Sequence, residues 1–189
     1  MRIGIIGAKG HGKDSIADIL IDENGFRKVA FADPMKEMLH VGLGISRKIL
    51  YGPADVKERV LPEFGVSPRH MLVTLGTEWG RRLIHEDLWT NIAMLRTLPL
   101  YELEHGVQSW VASDVRFINE AKALVEAGFV MFKVERPGYV TKTGEHAGHQ
   151  SETELNDIEY DVLIRNDSTL EDLHEKARRI LKAMRHANP

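Results

Sequence analysis

Met1-Arg-Ile-Gly-Ile-Ile-Gly-Ala-Lys-Gly-His-Gly-Lys-Asp-Ser15 fits one local structure: a strand, a glycine-rich turn and a helix. Ile3, Ile5 and Ile6 read as the buried strand. Gly7, Gly12 and Lys13 match the phosphate-binding pattern G-x-x-x-x-G-K-[ST], with Asp14 in the Ser/Thr place. Glycines let the backbone turn tightly and aim several N–H groups at one anion. The helix that starts near Lys13 carries Ile16, Ile19 and Leu20, ends near Gly25, and adds the positive end of its dipole. Lys13 then reaches the outer phosphates of a nucleoside triphosphate, so the motif points to ATP or GTP. A strand–helix turn that binds nothing is the weaker reading, because strand, lysine spacing and helix agree. Asp14 leaves two readings open: a hard oxygen ligand for Mg²⁺, directly or through water, or a charge serving the helix dipole. Ser15 is a hydroxyl donor to an inner phosphate.

Composition narrows the class. The 189 residues suit one domain, residues 1–189, with a small lid or insert. A formal net charge of −3 argues against a nucleic-acid polymer as partner. The chain has no cysteine, hence no disulfide framework, catalytic thiol or thiolate zinc site. No apolar run is long enough to span a membrane, and the first residues read as a strand rather than a signal peptide. A cytoplasmic protein without membrane contact is expected.

Strands and helices alternate along the chain. Arg27–Ala32 reads as a short strand, followed by a helix through Met35, Met38, Leu39 and Val41 that stops at Gly42 or Gly44. Residues 45–64 are less regular, with a break at Tyr51-Gly-Pro53. Ser67-Pro68 opens a helix, and 83–97 carries another. Residues 107–112, 129–134 and 162–165 read as strands, with a helix over 117–127. Ser151-x-x-Glu154 and Ser168-x-x-Glu171 have the form of capping boxes, the second opening the final helix. This predicts an α/β, three-layer α/β/α sandwich: a parallel sheet of about five strands with helices on both faces and a lid segment.

Further candidates fall at strand ends, where open α/β sheets bind ligands. Trp110-Val-Ala-Ser-Asp114 is an apolar strand that delivers a carboxylate. Asp114 is a candidate for the Mg²⁺ shell, for a substrate hydroxyl, or for capping the next helix, and Arg116 beside it suits a phosphate clamp. Asp33-Pro-Met-Lys36 offers Lys36 to a monophosphate, against the blander reading of an exposed helix lysine. Arg69 and the stretch Leu75-Gly-Thr-Glu-Trp-Gly-Arg81 bring Gly76, Thr77 and Trp79 close in sequence, with Trp89 beyond. Either tryptophan is a candidate for stacking on a base, with core packing the alternative. Residues 33–97 thus read as a helical acceptor-binding region. Residues 136–150, with Arg136, Lys142, His146 and His149, read as a basic lid, the alternative being a solvated loop. His146-x-x-His149 lacks a clear third ligand for zinc. Asn166-Asp167 either borders a base or forms an Asx turn.

Taken in order, several short motifs resemble the bacteriophage deoxynucleoside monophosphate kinases, of the P-loop nucleoside-monophosphate kinase class. They are Gly12-Lys-Asp-Ser15 with Ala17-Asp18, Asp33-Pro-Met-Lys36, Leu75-Gly-Thr77 with a following Trp, Ser113-Asp-Val-Arg116 with Glu120, Val134-Glu-Arg-Pro-Gly138, and Asn166-Asp with Leu170-Glu. The resemblance implies ATP and Mg²⁺ as cofactors and transfer of the γ-phosphoryl group to a deoxynucleoside 5′-monophosphate. Lys13, Asp114, Arg116 and Arg136 would act in catalysis. ATP contacts are expected at Gly7, Ala8, Lys9, Gly10, His11, Gly12, Lys13, Asp14, Ser15, Arg136, Asn166 and Asp167. Acceptor contacts are expected at Asp33, Lys36, Arg69, Gly76, Thr77, Trp89, Asp114 and Arg116, and metal contacts at Asp14 and Asp114. The chain is more compact between Lys36 and Arg69 than the best-known phage relative, which leaves base choice open. Another small-molecule P-loop kinase, such as a dephospho-coenzyme A kinase, and a non-catalytic nucleotide-binding module are the competing readings. A homodimer is compatible with either.

Overall fold

Five parallel strands in the order β2-β3-β1-β4-β5 form the sheet. They are β1 (Arg2–Ile6), β2 (Arg27–Lys28), β3 (Trp110–Ala112), β4 (Val130–Glu135) and β5 (Val162–Arg165). The computed structural model describes residues 1–106, 109–139 and 154–187. The expected residues Lys142, His146, His149 and Ser151 lie outside that set.

β1 is central because its side chains are apolar on both faces, which suits a fully covered parallel strand. Ile3 pairs with Val111 on one side and Val130 on the other. Ile3 and Ile5 face helices α1 (Lys13–Asn24) and α9 (Leu170–Ala187), with Ile16, Leu20, Phe132, Val134, Leu173, Ala177 and Leu181 in the same core. On the opposite face lie α7 (Leu98–His105) and α8 (Ile118–Glu126). There Arg2 donates to Ala127 O at 2.6 Å and to Glu102 at 2.7 Å, and Trp110 Nε1 donates to the same Glu102 oxygen at 2.9 Å. The helices therefore cover both faces, as expected. On the surface, Arg178 of α9 grips Glu23 of α1 through two hydrogen bonds of 2.9 and 2.7 Å and holds that carboxyl below its ordinary pKa.

Several element bounds differ from the sequence reading. β2 stops at Lys28, and Val29 adds one last ladder bond, its N–H donating to Val111 O at 2.9 Å. Beyond it the chain turns into α2 (Asp33–Leu43), so Phe31 packs as part of a turn and not of a strand. The final helix is capped one residue later than expected. Thr169 Oγ1 accepts the Asp172 N–H at 3.2 Å, and Asp172 returns a bond to the Thr169 N–H at 3.3 Å, a reciprocal box over Thr169-x-x-Asp172.

The chain divides into two compact units, Met1–Val29 with the chain from Leu98 onward, and Ala30–Thr97. The second unit is helical. α3 (Arg47–Leu50) and α4 (Ala54–Glu58) flank the Tyr51-Gly-Pro53 break, and Leu61 bridges Val66. Leu39, Ile45 and Leu50 form its small core against Leu61, Met71, Leu72 and Leu75. Ser67 caps α5 (Pro68–Val73), its Oγ accepting from His70 N at 3.2 Å. The chain then winds as a π-helix over Thr74–Ile84, closed by His85 N donating to Gly80 O at 2.9 Å. His85 is extended, so the helix expected over 83–97 is split into the end of this π-helix, α6 (Leu88–Ile92) and a π-turn at Ala93–Thr97.

Trp89 packs against the wide winding. It is 1 % exposed, and its Nε1 donates to Gly76 O at 2.8 Å. Its ring lies against Gly80, where an added Cβ would meet ring atoms at 2.5–2.7 Å. Glycine-to-alanine in a helix interior ordinarily gains about 0.5–1 kcal/mol, whereas overpacking a filled site costs about 1–3 kcal/mol. Gly80→Ala is therefore expected to lower the thermal midpoint, measured by calorimetry; an unchanged or raised midpoint contradicts this packing.

Candidate functional site: a phosphate-binding loop and the adjoining strand ends

The glycine-rich turn after β1 has the geometry its sequence demands. Gly7 (φ 146°) and Gly12 (φ 105°) both lie at backbone angles that side-chain-bearing residues rarely adopt. A Cβ on Gly7 would stand 2.4 Å from Val134 O, and one on Gly12 would stand 2.9 Å from both Asn166 and Leu173. Gly12 is also the N-cap of α1, so the loop leads directly into that helix. Ala8, Lys9, Gly10, His11 and Gly12 wrap the space before the helix start, with His11 N donating to Ala8 O at 3.2 Å. Lys13 Nζ lies inside this loop and donates to Ala8 O at 2.9 Å. The ammonium thus sits where the backbone of the loop converges.

Two neighbouring strand ends brace the loop. His11 Nδ1 is 3.2 Å from Val134 O on β4. Asn166, following β5, donates its N–H to Glu135 O at 2.7 Å and its side-chain amide to His11 O at 3.0 Å. Asn166 therefore supports the loop backbone. Asp167 turns outward, paired at 2.5 Å with Lys176, whose hydrogen bond holds the carboxyl below its ordinary pKa. This pairing supplies a structural task for Asp167 that the sequence did not disclose.

Asp14 stands on the first turn of α1, with the Ser113 hydroxyl at 3.4 Å from its Oδ1. Ser113 is buried at the end of β3 and joins that strand end to the phosphate-binding loop. Asp114 and Arg116 follow on the turn between β3 and α8, both half-buried. The start of α8 is capped by carboxylates from two places. Glu120 Oε2 accepts from Arg116 N at 2.8 Å and Phe117 N at 3.2 Å, and Glu154 Oε2 accepts from Ile118 N at 3.0 Å.

The segment after β4 lies on the loop. The Tyr139 ring covers Gly10, meets His11 edge-on at a centroid distance of 6.0 Å, and carries the Arg136 guanidinium 5.0 Å from its centre. Beside it, His11, Glu135, Arg136, Pro137 and Arg165 line a cavity of about 470 Å³. Tyr139, Arg165, Ser113, Glu120 and Glu154 are functional-site neighbours to which the sequence reading assigned no contact. Ser113 and Glu120 carried a signal as parts of the motif around Asp114 and Arg116, and Glu154 as the end of a capping-box pattern.

In the helical unit, Lys36 donates to Asp33 at 2.8 Å and lies 4.2 Å above the centre of the Tyr51 ring. Burial, with the carboxylates of Asp33 and Glu37 beside it, pushes the Tyr51 phenol above its ordinary pKa. Met35, between Asp33 and Lys36, abuts Gly76: a Cβ there would lie 2.9 Å from its sulfur. Thr77 is buried and Arg69 half-buried on α5. Asp33, Lys36 and Gly76 are thus neighbours, with Trp89 bonded to Gly76. Of the two tryptophans, Trp89 takes the core-packing alternative, and Trp79, 6.2 Å from it between centroids and 38 % exposed, is the more open ring.

A parallel sheet with a glycine-rich loop after its central strand and an acid at the end of the adjoining one is the P-loop kinase arrangement. The solved structure of dephospho-CoA kinase from Campylobacter jejuni shares this fold, at a TM-score of 0.54 and 13 % identity over 100 % of this chain and 98 % of that one. The family model for deoxynucleotide monophosphate kinase matches residues 53–177. A protein of Acanthamoeba polyphaga mimivirus that carries the same name is 34 % identical over 92 % of each chain. Deoxynucleoside-5′-monophosphate kinase of Escherichia phage T5 is 26 % identical, covering 66 % of this chain and 71 % of its own. The chain belongs to the deoxynucleotide monophosphate kinase family, and is an enzyme of the P-loop phosphotransferase class.

Proposed function

We propose that the chain transfers the γ-phosphoryl group of ATP to a deoxynucleoside 5′-monophosphate, giving the diphosphate and ADP. The observation that carries this reading is the loop around Lys13, joined through Asp14 and Ser113 to the strand end that bears Asp114 and Arg116. The loop suits a triphosphate, and the acid–arginine pair supplies what an acceptor phosphate needs. The family membership supports the same substrate class.

In this reading a non-bridging oxygen of the monophosphate attacks the γ-phosphorus in line, and the bond to the ADP oxygen breaks with its electron pair leaving on ADP. No protein nucleophile is needed. Lys13 exchanges its bond to Ala8 O for the β- and γ-oxygens. Residues Gly7 to Ser15 hold the triphosphate, and the cavity lined by His11, Arg136 and Arg165 takes the adenosine end, with Asn166 setting the loop's shape. Arg116 and Arg136 offset charge on the transferring group, and Asp114 orients the acceptor. Lys36, Arg69, Gly76 and Thr77 contribute to acceptor binding, while Trp89 acts through the Gly76 backbone it holds.

Asp14 and Asp114 would hold Mg²⁺. The donor set fits: Mg²⁺ usually takes only one or two carboxylates besides substrate phosphates and water, and Asp14 lies against Ser113, the residue before Asp114. When bound, the ion neutralises charge on the β- and γ-oxygens. Among the described residues no helix is long and apolar enough to cross a membrane. We place the enzyme in the cytoplasm, where its substrates are.

A coupled assay of ADP release over deoxy- and ribonucleoside monophosphates, with dephospho-coenzyme A as a control acceptor, tests the proposal. Turnover is expected with at least one deoxynucleoside monophosphate and none with dephospho-coenzyme A. Turnover confined to dephospho-coenzyme A, or ATP binding without turnover on any acceptor, overturns it.

A further inference from the structure

We infer that Glu120 is a positioning residue for phosphoryl transfer, holding the turn between β3 and α8 so that the Arg116 side chain is presented at a fixed place. This rests on the assignment of Arg116 to the transferring phosphate given above.

Glu120 is only 3 % exposed, although glutamate is among the residues least often buried. Its Oε2 accepts the N–H of Phe117, the residue before α8, as an ordinary third-position glutamate does. The same oxygen also accepts the N–H of Arg116 at 2.8 Å, the shorter of the two bonds. The next N–H, on Ile118, goes to Glu154, thirty-six positions further along the chain. Three successive backbone donors at the start of a helix would otherwise make a binding place for an anion. Here the protein's own carboxylates fill it. A phosphate near this turn therefore has to be recognised by side chains, and the half-buried Arg116 is the cation on the turn.

An arginine that stabilises a transferring phosphate works only in register with the reacting atoms, and a displacement of about 1 Å can cost about a hundredfold in rate. Without the Glu120 carboxylate the N–H groups of Arg116 and Phe117 lose that acceptor, and with it a fixed point for the peptide planes on either side of Arg116. The loop around Lys13 has its own braces at Val134, Glu135 and Asn166, so ATP binding has no such dependence on Glu120.

A double-mutant cycle over Glu120→Ala and Arg116→Met tests this, with kcat and KM for the monophosphate, the Kd for ATP alone and the thermal midpoint measured for each variant. Glu120→Ala is expected to lower kcat by about ten- to a hundredfold with the ATP Kd within about twofold of the parent. Glu120→Gln, which keeps an acceptor oxygen, is expected to recover most of the loss. The double variant is expected to be no slower than Arg116→Met, because Glu120 acts through Arg116. Multiplying effects in the double variant, or a lowered midpoint with parental kcat, overturn the inference and reduce Glu120 to a helix cap. If Glu120→Ala does not fold, Glu120→Asp, whose carboxylate is drawn back by one carbon, is expected to fold and lose kcat; parental kcat in that variant overturns the inference equally. Parental kcat in Arg116→Met alone instead removes the assignment of Arg116 on which the inference stands.

Discussion

Lys13→Ala is expected to lower transfer by about a hundred- to a thousandfold while the thermal midpoint stays near that of the parent chain. The Lys13 ammonium sits at the centre of the loop and donates to Ala8 O, a neutral carbonyl. Triphosphate oxygens are stronger acceptors for an ammonium than a carbonyl, because the hydrogen bond is then charge-assisted. Lys13 is therefore held in the place where the triphosphate oxygens are expected. Its contribution grows as charge builds on the transferring group, so kcat should fall more than ATP affinity. Steady-state kinetics with scanning calorimetry check this. Near-parental kcat with an unchanged midpoint would falsify the assignment of the loop to the triphosphate.

Arg116→Met should damage transfer by about a thousandfold, with ATP affinity nearly unchanged. Methionine keeps much of the side chain's length and apolar stem, so packing on the turn is largely preserved. The backbone bond from Arg116 N to Glu120 is also preserved, which leaves the guanidinium as the only group removed. Single-turnover rates beside equilibrium ATP titration separate the two steps. A proportional loss of ATP affinity with normal acceptor kinetics would move Arg116 from the acceptor side to the donor side.

The sheet and the phosphate-binding loop were legible in the sequence because each imposes a local demand. β1 shows as an apolar run since both its faces are covered. Gly7 and Gly12 show because their backbone angles and close neighbours exclude other residues. β2 was read too long because Phe31 is buried within the turn that follows, and apolar alternation does not tell a buried turn from a strand. The helical unit was harder. The π winding over Thr74–Ile84 is packed against Trp89, which lies five residues beyond its end and uses the Gly76 carbonyl. The roles of Glu154 and Tyr139 depend on partners far along the chain, Ile118 for the first and Gly10 and His11 for the second. The cap of α9 was displaced by one position because Ser168-x-x-Glu171 and Thr169-x-x-Asp172 overlap in sequence, and only geometry distinguishes them.

The strand order also bears on how the polypeptide is made. β1 leaves the ribosome well before its two partners, β3 and β4, at residues 110–112 and 130–135. At ordinary elongation speeds Ile3, Ile5 and Ile6 wait roughly ten seconds for neighbours. Asn166 and Leu173, which close around Gly12, emerge later still. A nascent chain therefore offers this apolar strand to chaperones well before it can grip a nucleotide, and ATP cannot template its own pocket until Asn166 and Leu173 have emerged.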